Sequence, residues 1–213
     1  MNYKIIDINQ DTDEWLEWRR SGITATEASI IIGANPYETK EELFLVKSGQ
    51  KSAEFKNNEA IQRGKDLEPV VRDKINNHYG ENFQPACVQN LEYNWMIASL
   101  DGLSECGTQI LEIKCPTNFG SHKKNFSFYQ GCGADDKEVE MYGMPQYYLS
   151  QVLWQSLCVS AANILFVSYL SGNFKVVEVN PNNDYCQFYI DRMKTKCLEF
   201  WQEVQEARLK HEN

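Results

Sequence analysis

The sequence predicts an α+β fold in which a central mixed β-sheet is flanked by helices. Three observations lead to this prediction. Apolar residues follow a helical period in the first part of the chain, and short β-prone stretches divided by turn residues follow Gly80. Helix and strand patterns then alternate towards the C-terminus. Strands between groups of helices are typical of a layered α/β fold with one sheet at its centre.

The early helices are predicted from capping residues and apolar spacing. Thr39 followed by Glu42 fits a capping box. A longer helical pattern later in this part is interrupted by Gly64 and Pro69. The predicted helices are Asp13–Arg20, a second helix containing Ala28–Ile32, Thr39 to about Ser48, and Asn58–Tyr79.

The strands are predicted from short apolar runs that are bounded by turn residues. Asn180 and Pro181 fit the N-cap and first-turn proline of a final amphipathic helix. The stretch Asn118–Gly143 has no clear period and is expected to be a mobile loop near the site. The predicted strands are Ala86–Leu91, Trp95–Ser99, Gln109–Lys114, Ile164–Leu170 and Phe174–Val179, and the later helices run from Pro145 to about Cys158 and from Pro181 to about Leu209.

Length and composition favour one domain over the 213 residues, with a core at about 15–180 and a C-terminal helix at about 181–209. The longest strongly apolar stretch, Ile164–Leu170, is too short to span a membrane, and the N-terminus lacks a signal-peptide pattern. The seven cysteines contain no C-x-x-C pair, which argues against a zinc ribbon or a disulfide framework. A soluble cytoplasmic protein is therefore expected.

The net charge of −9 counts against a general DNA-coating protein, because non-specific affinity for DNA comes from neutralised phosphates. It does not exclude an enzyme that acts on nucleic acid. Carboxylates that hold Mg²⁺ are themselves acidic, and a small basic surface can guide DNA on an acidic molecule.

The most informative stretch is Asp101-Gly102 followed, after a short turn, by Glu112-Ile113-Lys114. Residues two apart in a strand point to the same face, so Glu112 and Lys114 are expected to lie together. A hairpin return would bring Asp101 beside Glu112. The two carboxylates and the Ile113 carbonyl would form an all-oxygen site suited to Mg²⁺. Lys114 could orient a water molecule and stabilise charge on a phosphate, as phosphodiester hydrolysis requires.

An E-x-K pair on a strand has a simpler interpretation, because it is most often a solvated face with an ion pair across strands. Three features of the context favour function. Asp101-Gly102 lies upstream, both strands are otherwise apolar, and Pro116 ends the second strand abruptly.

Asp101, Glu112 and Lys114 resemble the D…E-x-K core of the PD-(D/E)XK nucleases, with Leu100 in place of the usual proline. Further segments resemble the lambda-exonuclease (YqaJ-type viral recombinase) branch of these nucleases. The matching blocks occur in the expected order between about Trp15 and Gln155. They are Trp15 and Arg19 with Gly22–Glu27, Arg63–Pro69, Ser99–Leu103, Leu111–Pro116 and Gln146–Val152.

The resemblance implies a restriction-endonuclease-like core and a nuclease that degrades duplex DNA from its 5′ ends, with Mg²⁺, or Mn²⁺ in its place, as cofactor. It also implies a ring-like homotrimer that is phage- or virus-encoded or prophage-derived, and a single-strand annealing protein as partner. The implied roles are metal ligands for Asp101, Glu112 and the Ile113 carbonyl, catalytic roles for Lys114, Glu68 and Gln151, and 5′-phosphate binding for Arg19, Thr26 and Ser99.

Each helical residue among these also has a simpler interpretation. Glu68 could be an exposed helix acid, and Gln151 could be a packing residue on an apolar face. Arg19 could pair with an acid such as Glu14, and Thr26 could be only a helix cap.

One position departs from the family pattern. After the E-x-K-C-P segment the family places a further basic residue towards the terminal phosphate, whereas here the first basic residues are Lys123 and Lys124. End specificity is therefore less firmly implied than nuclease activity. The alternatives are an endonuclease or repair nuclease of the same fold, and a catalytically inactive DNA-binding or assembly module.

Overall fold

The computed structural model describes residues 2–52, 59–126 and 143–211. At its centre is a six-stranded sheet whose strands lie side by side in chain order. Neighbouring strands are antiparallel except the fourth and fifth, which run parallel with helices between them in the chain. The predicted mixed sheet is confirmed. The strands are Tyr3–Ile6 (β1), Gln84–Asn90 (β2), Ile97–Leu103 (β3), Gln109–Lys114 (β4), Asn163–Leu170 (β5) and Asn173–Val179 (β6).

Helices flank the sheet, and side-chain caps determine where several of them begin. The Thr39 hydroxyl accepts a hydrogen bond from the Glu42 amide, as the capping pattern predicted. The longest helix of the first half contains Pro69 yet is continuous. The helices are Asp13–Arg20 (α1), Ala25–Ile31 (α2), Lys40–Lys47 (α3), Glu59–Tyr79 (α4), Phe119–Lys124 (α5), Gln146–Val159 (α6) and Asp184–His211 (α7).

The two faces of the sheet bury separate apolar clusters. On one face α2, α6 and α7 pack around Trp154, whose indole N–H lies 3.2 Å from the carbonyls of both Ile23 and Ile97. On the other face Val71 and Ile75 of α4 pack against apolar side chains of β4 and β5. Strands β3 and β4 are therefore enclosed by α4 and α6, and this enclosure positions the site described below.

The final helix begins later than its sequence pattern predicts. Asn180 does not cap it, because the Asn180 side chain accepts a hydrogen bond from the amide of Asn182 and stabilises a turn. The cap is Asn183, whose side chain accepts from the amide of Cys186 at 2.9 Å. Pro181 therefore lies in the turn before α7.

Three further boundaries differ from the sequence predictions. Strand β1 was not predicted, because it is an edge strand of only four residues without a clear apolar alternation. Strand β3 begins at Ile97 rather than Trp95, because the Trp95 carbonyl accepts the amide of Ile23 instead of joining the strand ladder. Part of the stretch expected to be a loop forms α5, which Asn118 caps. The rest of that loop up to residue 142, and Asn58, lie outside the described residues.

Across residues 2–52, 59–126 and 143–211, no helix combines the length and the apolar character that a bilayer crossing requires.

Candidate active site

The structure contains an open cleft of about 1160 Å³, and the site residues predicted from the sequence line it. Its walls come from β3 and β4, from α1 and α2, and from α4, α5 and α6. The structure therefore brings together positions that are far apart in the chain. These are Arg19, Thr26, Glu68, Ser99, Asp101, Glu112, Ile113, Lys114 and Gln151.

Strands β3 and β4 separate where the cleft begins. Their pairing ends at Gly102 opposite Leu111. Beyond this pair the Ile113 amide donates to the Asp101 carboxylate at 2.7 Å, and the Asp101 carbonyl accepts from the Arg72 guanidinium at 2.5 Å. Side chains thus satisfy the backbone groups that the separation frees, as buried polar groups require. We call this separation the strand fork.

Gly102 allows the strands to pack closely at the base of the strand fork. A Cβ atom at this position would lie 2.8 Å from the Cβ of Phe83 and 3.0 Å from the Cβ of Leu111. No side chain fits there without a backbone shift. The Asp-Gly pair therefore combines a carboxylate for the cleft with the one residue that the packing admits.

Glu112 is buried, and both of its carboxylate oxygens accept hydrogen bonds. The Gln151 amide and the Lys114 ammonium reach Oε1 at 2.6 and 2.5 Å, and the Gln155 amide reaches Oε2 at 2.6 Å. The carbonyl oxygen of Gln155 has no partner within the described part of the chain. Gln151 is therefore more than a packing residue. Gln155 was not predicted for the site, although its position one helical turn after Gln151 was a usable signal.

Lys114 lies on the same face of β4 as Glu112, as the strand period predicted. Its ammonium also lies 5.0 Å from the ring centroid of Tyr148. Burial lowers the pKa of Lys114, but Glu112, Tyr148 and Asp101 outweigh this effect and raise the pKa above its ordinary value. Lys114 therefore remains a cation at neutral pH.

Two further carboxylates face the same space. Burial, with the nearby charges of Glu112 and Glu68, raises the pKa of Asp101 well above its ordinary value. Burial also raises the pKa of Glu68, against an opposing ion pair with Arg72 at 2.9 Å. Glu68 is thus a partly buried, paired carboxylate rather than an exposed helix acid. The carboxylates destabilise one another's charged forms in a desolvated space.

These groups fit a hard divalent cation. The donors are carboxylate and carbonyl oxygens, which Mg²⁺ and Mn²⁺ prefer, and a bound cation would offset the repulsion that raises the pKa of Asp101. In the described part of the chain, no group of three or more His, Cys, Asp and Glu side chains forms a preformed cage. The fit therefore depends on Asp101, Glu112 and the Ile113 carbonyl, completed by water.

A second group of residues forms the N-terminal rim of the cleft, which we define as Trp15, Arg19, Thr24, Thr26 and Ser99. The Arg19 guanidinium lies 4.4 Å from the Trp15 ring centroid, and it donates to the Thr24 hydroxyl at 3.5 Å. The Trp15 indole donates to the Ser99 hydroxyl at 2.7 Å. Trp15 therefore joins Arg19 to Ser99.

Two of the simpler interpretations do not apply at the N-terminal rim. Arg19 stacks on Trp15, and no ion pair joins it to Glu14 among the residues that the structure describes. Thr26 is not a helix cap, because Thr24 occupies the N-cap of α2 and Thr26 is an exposed residue inside the helix. Lys124 of α5 also lines the cleft.

The mixed six-stranded sheet with its flanking helices, with Asp101 on β3 and Glu112 and Lys114 on the neighbouring β4, has the architecture of the restriction-endonuclease-like class of folds. Within that class, the family model of the YqaJ-like viral recombinase domain matches residues 14–163. The chain belongs to this family, as the sequence blocks predicted.

A curated protein with a similar sequence is the uncharacterized protein YqaJ of Bacillus subtilis (strain 168), which is 32% identical over 142 residues. The aligned segment covers 66% of this chain and 40% of that protein. The chain thus matches less than half of the length of its curated relative.

Solved structures show the same fold. An alkaline exonuclease (LHK-Exo) from Laribacter hongkongensis is 22% identical and has a TM-score of 0.69, with 94% of this chain and 98% of that chain covered. The same exonuclease in complex with dAMP gives a TM-score of 0.70. A phage-related exonuclease from Haemophilus somnus 129PT is 13% identical, with a TM-score of 0.57 and coverage of 87% and 96%. These structures therefore confirm the fold that the sequence predicted.

Proposed function

We propose that this protein is a metal-dependent exonuclease that degrades linear duplex DNA from its 5′ ends and leaves 3′ single strands for recombination. One observation carries the proposal. Glu112 is held by Lys114, Gln151 and Gln155 beside Asp101, in a cleft whose rim presents Arg19. A nuclease of this fold needs a fixed carboxylate pair, an adjacent cation and room for a DNA strand.

Asp101, Glu112 and the Ile113 carbonyl would hold Mg²⁺ or Mn²⁺. When bound, the ion would supply Lewis-acid stabilisation of the phosphate charge and a more acidic water. Lys114, kept protonated by its neighbours, stabilises negative charge that develops on the phosphate. Gln151 and Gln155 fix the orientation of Glu112, so that no reorganisation is needed during the reaction.

The charge of the cleft favours a requirement for metal. Acidic side chains slightly outnumber basic ones in its lining, so that the cleft alone offers little electrostatic attraction for a phosphate backbone. A divalent cation would reverse this balance where the phosphate must lie. The acidic residues are Glu38, Glu68, Asp101 and Glu112, and the basic residues are Arg19, Lys114 and Lys124.

The N-terminal rim would bind the terminal 5′ phosphate. Arg19 offers a guanidinium that Trp15 holds in place by stacking, and Ser99 and Thr26 add hydroxyl donors. Charge-assisted, bidentate bonds from arginine suit a terminal phosphate. Lys124 lies in the cleft lining and would replace the basic residue that the family pattern places elsewhere.

A ring-like homotrimer would be the working form, and a single-strand annealing protein would take up the product. Because the net charge is −9, long-lasting binding by phosphate neutralisation alone is weak, whereas a closed ring prevents the duplex from leaving sideways. Light scattering should give about 74 kDa, three times the 24.7 kDa of the chain. A mass of one chain that does not change when DNA and metal are added would contradict the ring.

Digestion of matched DNA substrates tests the proposed activity directly. With Mg²⁺, linear duplex with 5′-phosphate ends should be degraded faster than duplex with 5′-hydroxyl ends, and closed circular duplex should survive. A chelator should stop the reaction, and Mg²⁺ or Mn²⁺ should restore it. Cleavage of the circular substrate would favour the endonuclease alternative, and no cleavage of any substrate would favour an inactive binding module.

A further inference from the structure

Lys47 of α3 is a buried cation that has no part in the proposed chemistry. Only 4% of the residue is exposed. Its ammonium lies 2.9 Å from the Glu27 carboxylate and donates to the carbonyls of Arg19 at 2.7 Å and Gly22 at 2.6 Å. Three oxygens thus satisfy its three N–H donors, as a buried ammonium requires.

The three oxygens belong to one short segment of chain. Arg19 lies in the last turn of α1, Gly22 lies in the connection, and Glu27 lies in the first turn of α2. Glu27 also accepts from the amide of Thr24 at 2.8 Å. A single ammonium therefore joins the end of α1 to the start of α2.

This segment is also held from two other sides. The Ile23 amide donates to the Trp95 carbonyl at 2.7 Å, next to β3. The Arg208 guanidinium of α7 donates to the carbonyls of Arg20 and Lys47, both at 2.9 Å. The backbone that carries the N-terminal rim is therefore held by groups that do not themselves line the main cleft.

We propose that Lys47 is a positioning residue for recognition of the 5′ end, a role that rests on the proposed function of the N-terminal rim. It does not line the main cleft, so it acts through the backbone that places Arg19 and Thr26 opposite Ser99. Loss of its bonds allows the α1–α2 connection to move relative to β3. The phosphate-binding groups then no longer converge. The carboxylate site, which we define as Asp101, Glu112 and Lys114, keeps its geometry.

The test is a double variant, Lys47→Met with Glu27→Gln. Replacing a buried ion pair by groups of similar volume is often neutral for stability, and glutamine keeps an acceptor for the Thr24 amide. The single variant Lys47→Met would leave Glu27 partly buried and unpaired, and it can fail to fold for that reason alone. Should the double variant not fold, Lys47→Gln with Glu27→Gln provides the same comparison with a smaller expected effect, because the glutamine amide keeps donors for the carbonyls of Arg19 and Gly22.

The readout is the ratio of digestion rates on 5′-phosphate and 5′-hydroxyl ends, with thermal unfolding measured in parallel. The ratio should fall roughly tenfold or more, mainly through a higher KM for phosphorylated ends, because small misplacements of binding groups carry large costs. The matched control is Lys40→Ala on the same helix. Lys40 also pairs with α7, through Glu203 at 3.7 Å, but it is exposed. This control should leave the ratio unchanged.

A third variant separates positioning from general weakening. If Lys47 acts through Arg19, adding Arg19→Ala to the double variant should lower the ratio little further. A folded double variant that keeps the wild-type ratio would overturn the role of Lys47 alone. A wild-type ratio of one would instead overturn the phosphate-binding rim, and the inference with it.

Discussion

The carboxylate site and the N-terminal rim occupy the same cleft, but they are built differently. Glu112 and Lys114 lie on a central strand, and neighbouring side chains bond to both oxygens of Glu112. At the rim, Thr26 is exposed and Arg19 has one long hydrogen bond, to Thr24 at 3.5 Å. The Glu112 carboxylate is thus held by side chains of β4 and α6, whereas the N-terminal rim depends on backbone that Lys47 and Arg208 hold in place. Substitutions in the carboxylate site and at the N-terminal rim should therefore affect digestion in different ways.

The largest effect is expected in the carboxylate site. Lys114→Ala should lower the digestion rate by roughly a thousandfold or more on every substrate, because metal binding and charge stabilisation act as a unit. Glu112→Gln should do the same. Glu112→Ala should in addition lower stability by about 1–3 kcal/mol, because it leaves the buried Gln155 amide without its partner. Rates and thermal unfolding are the measurements, and Lys65→Ala, in an exposed pair with Asp11, is the control.

A normal rate for Lys114→Ala would remove the assignment of the active site. If Lys114→Ala or Glu112→Gln lowered the digestion rate only on 5′-phosphorylated ends, the proposed difference between the carboxylate site and the N-terminal rim would be wrong.

A smaller and more selective effect is expected at the N-terminal rim. Arg19→Ala should slow digestion of 5′-phosphorylated ends by about 10- to 100-fold, since a hydrogen bond to a charged group contributes roughly 1.5–3 kcal/mol. Hydroxyl ends should be affected much less. Arg20→Ala is the matched control, because Arg20 is exposed and its side chain pairs with Glu17 rather than facing the cleft. Equal effects of the two substitutions would count against a phosphate role for Arg19.

Gln155→Leu should lower the rate about tenfold on both kinds of end, because Glu112 loses one of its charge-assisted hydrogen bonds. Calorimetric titration with Mg²⁺ should show weaker binding in the same variant. Gln155→Glu should have a larger effect, because it places a second carboxylate against Glu112. An unchanged rate for Gln155→Leu would mean that Gln151 and Lys114 are enough to position Glu112.

The smallest effect distinguishes the two lysines that the sequence left as alternatives. Lys124 lines the cleft, and Lys123 does not. Lys124→Ala should lower affinity for phosphorylated DNA a few-fold and reduce the slope of log affinity against log salt by about one. Lys123→Ala is the control. A larger effect of Lys123→Ala would mean that Lys123, rather than Lys124, replaces the basic residue of the family pattern.

The local parts of the site could be predicted from sequence, because they follow from strand geometry. The period of two places Glu112 and Lys114 on one face, and a short turn brings Asp101 back beside them. Ordered sequence blocks also identified the family correctly. The strand fork was not predicted, since it depends on Arg72, which approaches Asp101 from a helix that the strand pattern does not reveal.

The roles of Lys47 and Gln155 were also not predicted. Lys47 has the sequence context of an ordinary surface lysine near a helix end, and its buried ammonium finds its partners in the distant α1–α2 segment. Gln155 lies in an apolar helix where a packing role was the simpler interpretation. The start of α7 was missed because three asparagines, Asn180, Asn182 and Asn183, lie just before it, and the one nearest to the helix, Asn183, is the cap.

The strand fork also makes one backbone amide a reporter of the site. Where strands are paired, an amide proton is shielded from solvent exchange by the neighbouring backbone, but at Ile113 the acceptor is the Asp101 carboxylate. Exchange at this amide therefore follows the state of a functional side chain rather than the stability of the sheet. Asp101→Asn, which keeps an acceptor oxygen, should preserve slow exchange at Ile113. Asp101→Ala should accelerate exchange there and leave Leu111, within the paired part of the sheet, protected.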